Sequence, residues 1–434
     1  MVAVLENRTC STSEDSVELD ARTWPGLASS MLLSAPWKKE DCDAYRARGG
    51  YAHGMARNGE RDLLRILRDA GLRGRGGAAF PTATKLEAVV KAASHTRPYV
   101  VANGGEGEPF SFKDRYLMRY RPHMVLDGLT ACADFLDAER AFVFTCDELA
   151  AESMREALRE REPRVPVFVH LSEHAYVAGE ESAVVDRLSG GLGLPTDKPP
   201  RPFEHGVHGR PTAVLNVDTL AQVALLTSAS EDSSQQASFL ASVASITGRP
   251  TLYELPAGLS LQELAEDFGG DRSAFTATVI GGFFGGLVPG TSDFVLDFAP
   301  DPRSDTAIGC ASFYFVDRDL DCPIGVAADI GLYLSRRNAR QCGPCVRGTS
   351  SAAKALQSIT RGAFTDATLD DLARWSTILP GRGACGVPDG LARLLRCLLA
   401  DFTAELHEHA RRPCPRCEDL RTSGRREARF HIPV

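Results

Sequence analysis

Five cysteines in the C-terminal third have the spacing of ligands. QCGPCVRG places Cys342 and Cys345 two residues apart, GRGACGVPDG adds Cys385 about forty residues later, and CPRC supplies Cys414 and Cys417. A Cys-x-x-Cys opening a helical segment, with a distant third cysteine, suits an iron–sulfur cluster. Two Cys-x-x-Cys pairs would alternatively suit a four-thiolate zinc site, although the gap between them is long for a zinc ribbon. All five being inert is the remaining reading. Cys10, Cys42, Cys132, Cys146, Cys310, Cys322 and Cys397 read as ordinary small residues. The first residues, MVAVLENRTCSTSEDS, carry acids where a secretion signal has a basic end, so a reducing, cytoplasmic setting is expected and a disulfide framework is not.

A second kind of chemistry lies upstream. GLRGRGGAAFPTATK (71–85) is a backbone nearly stripped of side chains, flanked by Arg73, Arg75 and Lys85. It follows a helix, so it is not the strand-first dinucleotide fingerprint. Its N–H groups could form a phosphate nest, or the stretch could be a plain tight turn. In ANGGEGEPFSFKDR, Asn103 ends a strand and Glu106 and Glu108 follow. These could bond a cofactor's ring edge or polyol, or form an acidic surface turn. Glu180 and Glu181 in YVAGEESA could recognise ribose hydroxyls or only complement a helix dipole. In VLNVDTLA, Asn216, Asp218 and Thr219 stand at a helix start, where a cap is the simple explanation.

The elements that must position these residues change texture along the chain. From 61 to 235 strands such as RPYVVANG, RAFVFTC and VPVFVHLSE alternate with helices, which predicts a layered α/β sheet with ligands at its strand ends. From 238 to 300 short strands surround one helix. From 305 to 410 the apolar spacing is helical and predicts a bundle. Residues 1–60 form a polar extension with one helix near SAPWKKEDCDAYRARGG, and 411–434 read as a basic, mobile tail. No apolar run is long enough to span a membrane. A net charge of −8 argues against a nucleic-acid surface.

Taken in order, these segments resemble the flavin- and NADH-binding subunit of respiratory complex I and its soluble hydrogenase and formate dehydrogenase relatives, over roughly residues 40–410. The resemblance implies a Rossmann-like FMN and nucleotide domain, a ubiquitin-like β-grasp (SLBB-like) module and a helical bundle carrying a [4Fe–4S] cluster. It also implies hydride transfer from NAD(P)H to FMN, then single electrons through the cluster to a ferredoxin-like partner subunit. By position, Gly74, Arg75, Gly76, Gly77 and Lys85 would line the phosphates, and Phe80 would stack on the adenine. Asn103, Glu106, Tyr176, Gly179, Glu180, Glu181, Asn216 and Thr219 would line the flavin and nucleotide, and Cys342, Cys345 and Cys385 would hold the metal.

The sequence departs from that pattern in several places. Gly105 replaces an Asp, Leu215 an Asn, and Ala88 and Arg201 two of three clamp phenylalanines. Arg201 could instead meet a phosphate and favour NADPH. Ala339 stands where the first cluster cysteine belongs, which leaves a non-cysteine ligand, a cysteine folded in from Cys414 or Cys417, or a lost cluster. The alternative to an oxidoreductase is therefore a degenerate binding or assembly subunit that keeps the fold.

Overall fold

The computed structural model describes residues 19–27, 30–51, 60–228, 237–290, 292–299, 306–363, 365–423 and 430. A four-stranded, wholly parallel sheet forms the first unit. Its strands run in the order Val167–Leu171, Arg140–Thr145, Tyr99–Gly104 and Thr212–Asn216. Tyr99–Gly104 is buried along nearly its whole length, because helices cover both faces of a parallel sheet. Pro122–Phe135 and Val217–Ser228 pack together beside it, and Ala-, Val- and Leu-rich contacts between them supply much of the core. All four strands end on one edge, so Asn103 and Asn216 become neighbours in register. That edge is where a parallel sheet offers a crevice to ligands.

A six-stranded mixed sheet follows, ordered Asp20–Thr23, Thr251–Pro256, Ser238–Ser245, Ser312–Asp317, Phe275–Ile280 and Leu287–Pro289. A separate apolar core lies against it, including Phe239, Tyr253, Phe275, Phe313 and Phe315. The helix Leu261–Gly269 begins with a capping box between Ser260 and Glu263. This sheet does not respect the boundaries expected from texture. One edge strand comes from the N-terminal extension, and Ser312–Asp317 comes from beyond residue 300. The extension is tied down by buried Glu254, whose carboxylate accepts from the backbone N–H groups of Met31, Leu32 and Leu33 and from the hydroxyls of Ser30 and Ser238.

Beyond residue 322 the described elements are helices: Pro323–Arg337, Gly343–Thr360, Asp366–Ile378, Val387–Asp401, Thr403–Arg411 and Pro415–Thr422. The last lies in the segment expected to be a mobile tail, and its Cys417 and Leu420 are buried. The expectation of mobility rested on missing periodicity, but an eight-residue helix is too short to display one. Among the described residues no helix is long and apolar enough to cross a membrane.

Candidate functional site

The glycine-rich stretch folds back on itself. Gly74 N donates to Phe80 O (2.9 Å), Thr82 N to Leu72 O (2.9 Å), and Arg73 pairs with Pro81 in an antiparallel bridge. Arg75 N donates to Thr219 Oγ1 (2.9 Å), which ties the loop to the start of the Val217–Ser228 helix. Gly76 and Gly77 then face a large cavity, and Gly77 has a φ of 119° that few other residues adopt. The flanking cations do something else. The Arg75 guanidinium lies 3.6 Å from the Phe298 ring centroid, burial lowers its pKa, and Nε and Nη1 have no hydrogen-bond partner. Lys85 Nζ donates to Glu181 Oε1 (2.6 Å) and Val214 O (3.1 Å). Phe80 is 46% exposed and lies outside the cavity wall.

At the strand ends the polar side chains bond one another. Asn103 Nδ2 donates to Gly179 O (2.8 Å), and Asn103 Oδ1 accepts from Gly105 N (3.1 Å), which draws the two turns together. A Cβ on Gly105 would lie 2.9 Å from Gly179 Cα, so the chain has no room there for the aspartate that the resemblance implied. Leu215, at the place of the expected second Asn, is buried in the apolar core. Glu106 accepts from the backbone N–H groups of Asp114 and Arg115, from Arg115 Nε (3.1 Å) and from the Ser111 hydroxyl, and so anchors the Lys113–Tyr120 helix. Asn216 donates to Asp114 Oδ2 (2.6 Å) and accepts from Asp218 N (3.0 Å), so of the three polar residues at this helix start it is Asn216 that acts as the cap. Beneath it, Lys113 Nζ lies 2.5 Å from Asp114 and 3.6 Å from Asp218, all three side chains being buried. These carboxylates hold the ammonium protonated, raising its pKa despite burial.

Glu108, named with Glu106 in the same glycine-rich turn but not among the residues that the resemblance carried over, also belongs to this wall. Its Oε2 accepts from the Phe283 N–H (3.1 Å) and the Tyr176 hydroxyl (3.2 Å), while buried Oε1 has no partner. Burial pushes its carboxyl up to about 8, against the pull of those two donors. Glu180 caps the Glu181–Leu188 helix through Ser182 N (2.9 Å) and Ala183 N (3.1 Å) and pairs with Lys198. The dipole-partner explanation of the Glu-Glu turn thus holds for Glu180, which also lines the cavity.

The cysteines separate into two groups. Cys342 stands just before the Gly343–Thr360 helix, Cys345 sits in its first turn, and Ala384 N donates to Cys342 Sγ at 3.4 Å, which brings the Cys385 loop alongside. Burial pushes the Cys345 thiol up to about 12 and that of Cys385 above its ordinary value. Cys414 and Cys417 are elsewhere. They meet Cys322 and His409, with all four donor atoms within 4.8 Å of one another. Cys322 precedes, and Cys342 follows, the 15-residue helix Pro323–Arg337, whose length is about 22 Å. Cys414 and Cys417 therefore cannot complete the Cys342 group, nor can the two Cys-x-x-Cys pairs share one zinc. Cys322, read as an ordinary small residue, was missed because its partners are 87 or more residues away, whereas His409 stands only five residues before Cys414 and the run HARRPCPRC could have pointed to it.

One cavity of about 1740 Å³ joins these features. Gly76, Gly77, Asn103, Glu106, Tyr176, Gly179, Glu180, Glu181 and Asn216 line it, as do Glu108, Lys198, Arg201 and Cys385. Of the residues expected here, Gly74, Arg75, Phe80, Lys85 and Thr219 stand behind or outside the wall. The volume exceeds that usual for one small ligand and suits two nucleotides side by side.

Residues 67–225 match the family described as the Nuo51 FMN-binding domain, and residues 325–409 the NADH-ubiquinone oxidoreductase-F iron-sulfur binding region. The chain is 32% identical over 402 residues to the NADH-quinone oxidoreductase F subunit numbered 2 of Rhizobium meliloti (strain 1021), covering 86% of this chain and 95% of that protein. It belongs to the family of NADH-quinone oxidoreductase F subunits. The Escherichia coli (strain K12) member is 29% identical, with 86% of this chain and 90% of that protein covered. Among solved structures, a chain of an NAD+-reducing [NiFe]-hydrogenase in the H2-reduced state matches with a TM-score of 0.71 and 26% identity. That match covers 91% of this chain and 72% of the other. The two matched regions take in both ends of the cavity, the flavin-domain edge and the cysteine-bearing helices.

Proposed function

We propose that this chain is the nucleotide-oxidising subunit of an electron-transfer complex, binding FMN and NAD(P)H in the common cavity. FMN, when bound, accepts a hydride and gives up electrons one at a time. The observation that carries this reading is the single cavity walled by Gly76, Gly77 and Asn216 and also by Cys385. The donor set fits a flavin mononucleotide. Bare amides at Gly76 and Gly77 suit its phosphate, and the unpartnered Oε1 of Glu108 offers a buried polar contact. Arg201, with no aromatic clamp in its place, brings positive charge to the wall and suits a nucleotide phosphate. Arg75 and Lys85 hold the wall from behind by stacking on Phe298 and pairing with Glu181.

Cys342, Cys345 and Cys385 would hold three corners of an iron–sulfur cube. Ala339 leaves the fourth corner to a ligand other than Cys414 or Cys417, which are engaged with Cys322 and His409. In domain terms we assign residues 61–235 to the flavin unit. The mixed sheet around 238–317 is assigned to the β-grasp-like module, with its first strand borrowed from the extension, and the helices beyond to the cluster-bearing bundle. Electrons leave to a partner protein of ferredoxin-like type.

The test is anaerobic purification, loading with FMN, and an absorbance spectrum before and after adding NADH or NADPH. A yellow protein bleached by either nucleotide supports the reading. A chain that folds but retains no flavin is the degenerate binding subunit instead.

A further inference from the structure

The cluster at the end of the chain lies apart from the flavin cavity and is built as a ligand set. Cys322 Sγ lies 3.5 Å, and Cys417 Sγ 3.6 Å, from His409 Nε2. A tetrahedral zinc ion with Zn–S near 2.3 Å and Zn–N near 2.0–2.1 Å requires sulfur–nitrogen edges of about 3.6 Å. The second ring nitrogen, Nδ1, lies 2.7 Å from Glu405 O. Donation to that carbonyl fixes the tautomer and leaves the Nε2 lone pair facing the sulfurs, as metal-binding histidines require. Cys322, His409 and Cys417 are buried and Cys414 half-buried, so the four donors meet in the protein interior. A Cβ on Gly325 would approach Cys417 Sγ to 3.2 Å, so the helix surface at that point is cut back to admit the thiol.

We propose that Cys322, His409, Cys414 and Cys417 bind one zinc ion, which fastens the C-terminal helix Pro415–Thr422 to the start of the helix Pro323–Arg337. All donor atoms within 4.8 Å suit a single ion and are too close for the corners of an iron–sulfur cube. Three sulfurs and one imidazole filling four tetrahedral positions make a closed, structural site, with no position left for substrate. The site closes a long-range contact, because Cys322 and His409 are 87 residues apart. Beyond the fastened helix, Phe430 packs edge-on against Phe110 and Phe283, whose backbone N–H bonds Glu108.

The experiment is metal analysis of the full chain purified anaerobically, in parallel with a Cys414→Ser/Cys417→Ser double variant and a Cys385→Ser variant. We expect about one zinc per chain in the unaltered protein and in Cys385→Ser, and a loss of at least tenfold in the double variant. Flavin and iron contents of the double variant should stay unchanged. Cobalt(II) exchanged into the unaltered protein should give intense thiolate charge-transfer and tetrahedral d–d bands, a readout that needs no variant to fold. The proposal is overturned by zinc-free protein that gives no such cobalt bands, by zinc retained in the double variant, by iron in place of zinc, or by a Cys414–Cys417 disulfide. These results do not depend on whether the cavity binds flavin.

Discussion

Glu108 shows how burial sets the behaviour of a single side chain. Its folded-state pKa of about 8 lies above the unfolded carboxylate value near 4.3, so the folded chain holds a proton that the unfolded chain releases between those limits. Stability from this group is therefore lost as pH rises through that window, and the loss levels off above pH 8. Glu108→Gln keeps the shape without the charge. It should melt with the parent at pH 5 and several degrees above it at pH 9, and equal melting at both pH values would contradict the buried acid. Gly105 gives a second prediction. Gly105→Asp restores the residue type implied by the family but forces a Cβ against Gly179 Cα at 2.9 Å. The cost should be about 1–3 kcal/mol in denaturant unfolding, with no gain in FMN affinity by calorimetry.

At the scale of elements, the joint between the N-terminal extension and the mixed sheet depends on one carboxylate. Glu254 accepts from three consecutive backbone N–H groups, those of Met31, Leu32 and Leu33. Glu254→Ala leaves these donors, those of Leu32 and Leu33 buried, without that acceptor. It should cost about 2–4 kcal/mol and expose the first residues to limited proteolysis. An unchanged midpoint with protected termini would show that the extension docks by apolar contact alone. The Asp20–Thr23 strand pairs in parallel with Thr251–Pro256, so its loss would also open a sheet edge.

For the whole molecule, the decisive arrangement is a cavity bounded by the glycine turn, the strand ends and Cys385 together. Ala339→Cys should place a fourth thiolate beside Cys342 and Cys345. We expect iron retained after anaerobic desalting to rise toward about four per chain, with a cluster slower to lose iron in air. Unchanged iron content would mean that residue 339 does not face the cluster. Electron delivery to an external acceptor, followed in the same preparations, should become more durable rather than faster at first.

What the sequence determined by itself is the set of local devices. Alternating strands and helices specify the parallel sheet, helical spacing specifies the C-terminal helices, and the glycine run specifies a turn with exposed amides. Local chemistry suffices there because each device acts within a few residues. The tertiary structure alone decided how the wall is tied together, since Asn216 donates to Asn103 O and to Asp114, Glu106 accepts from Asp114 N, and Arg75 stacks on Phe298. It also decided that Cys414 and Cys417 join Cys322 and His409 rather than Cys342. A pairing across 87 residues leaves no periodicity and no fixed spacing to read, because only the packing of the helices brings those atoms within reach of one ion.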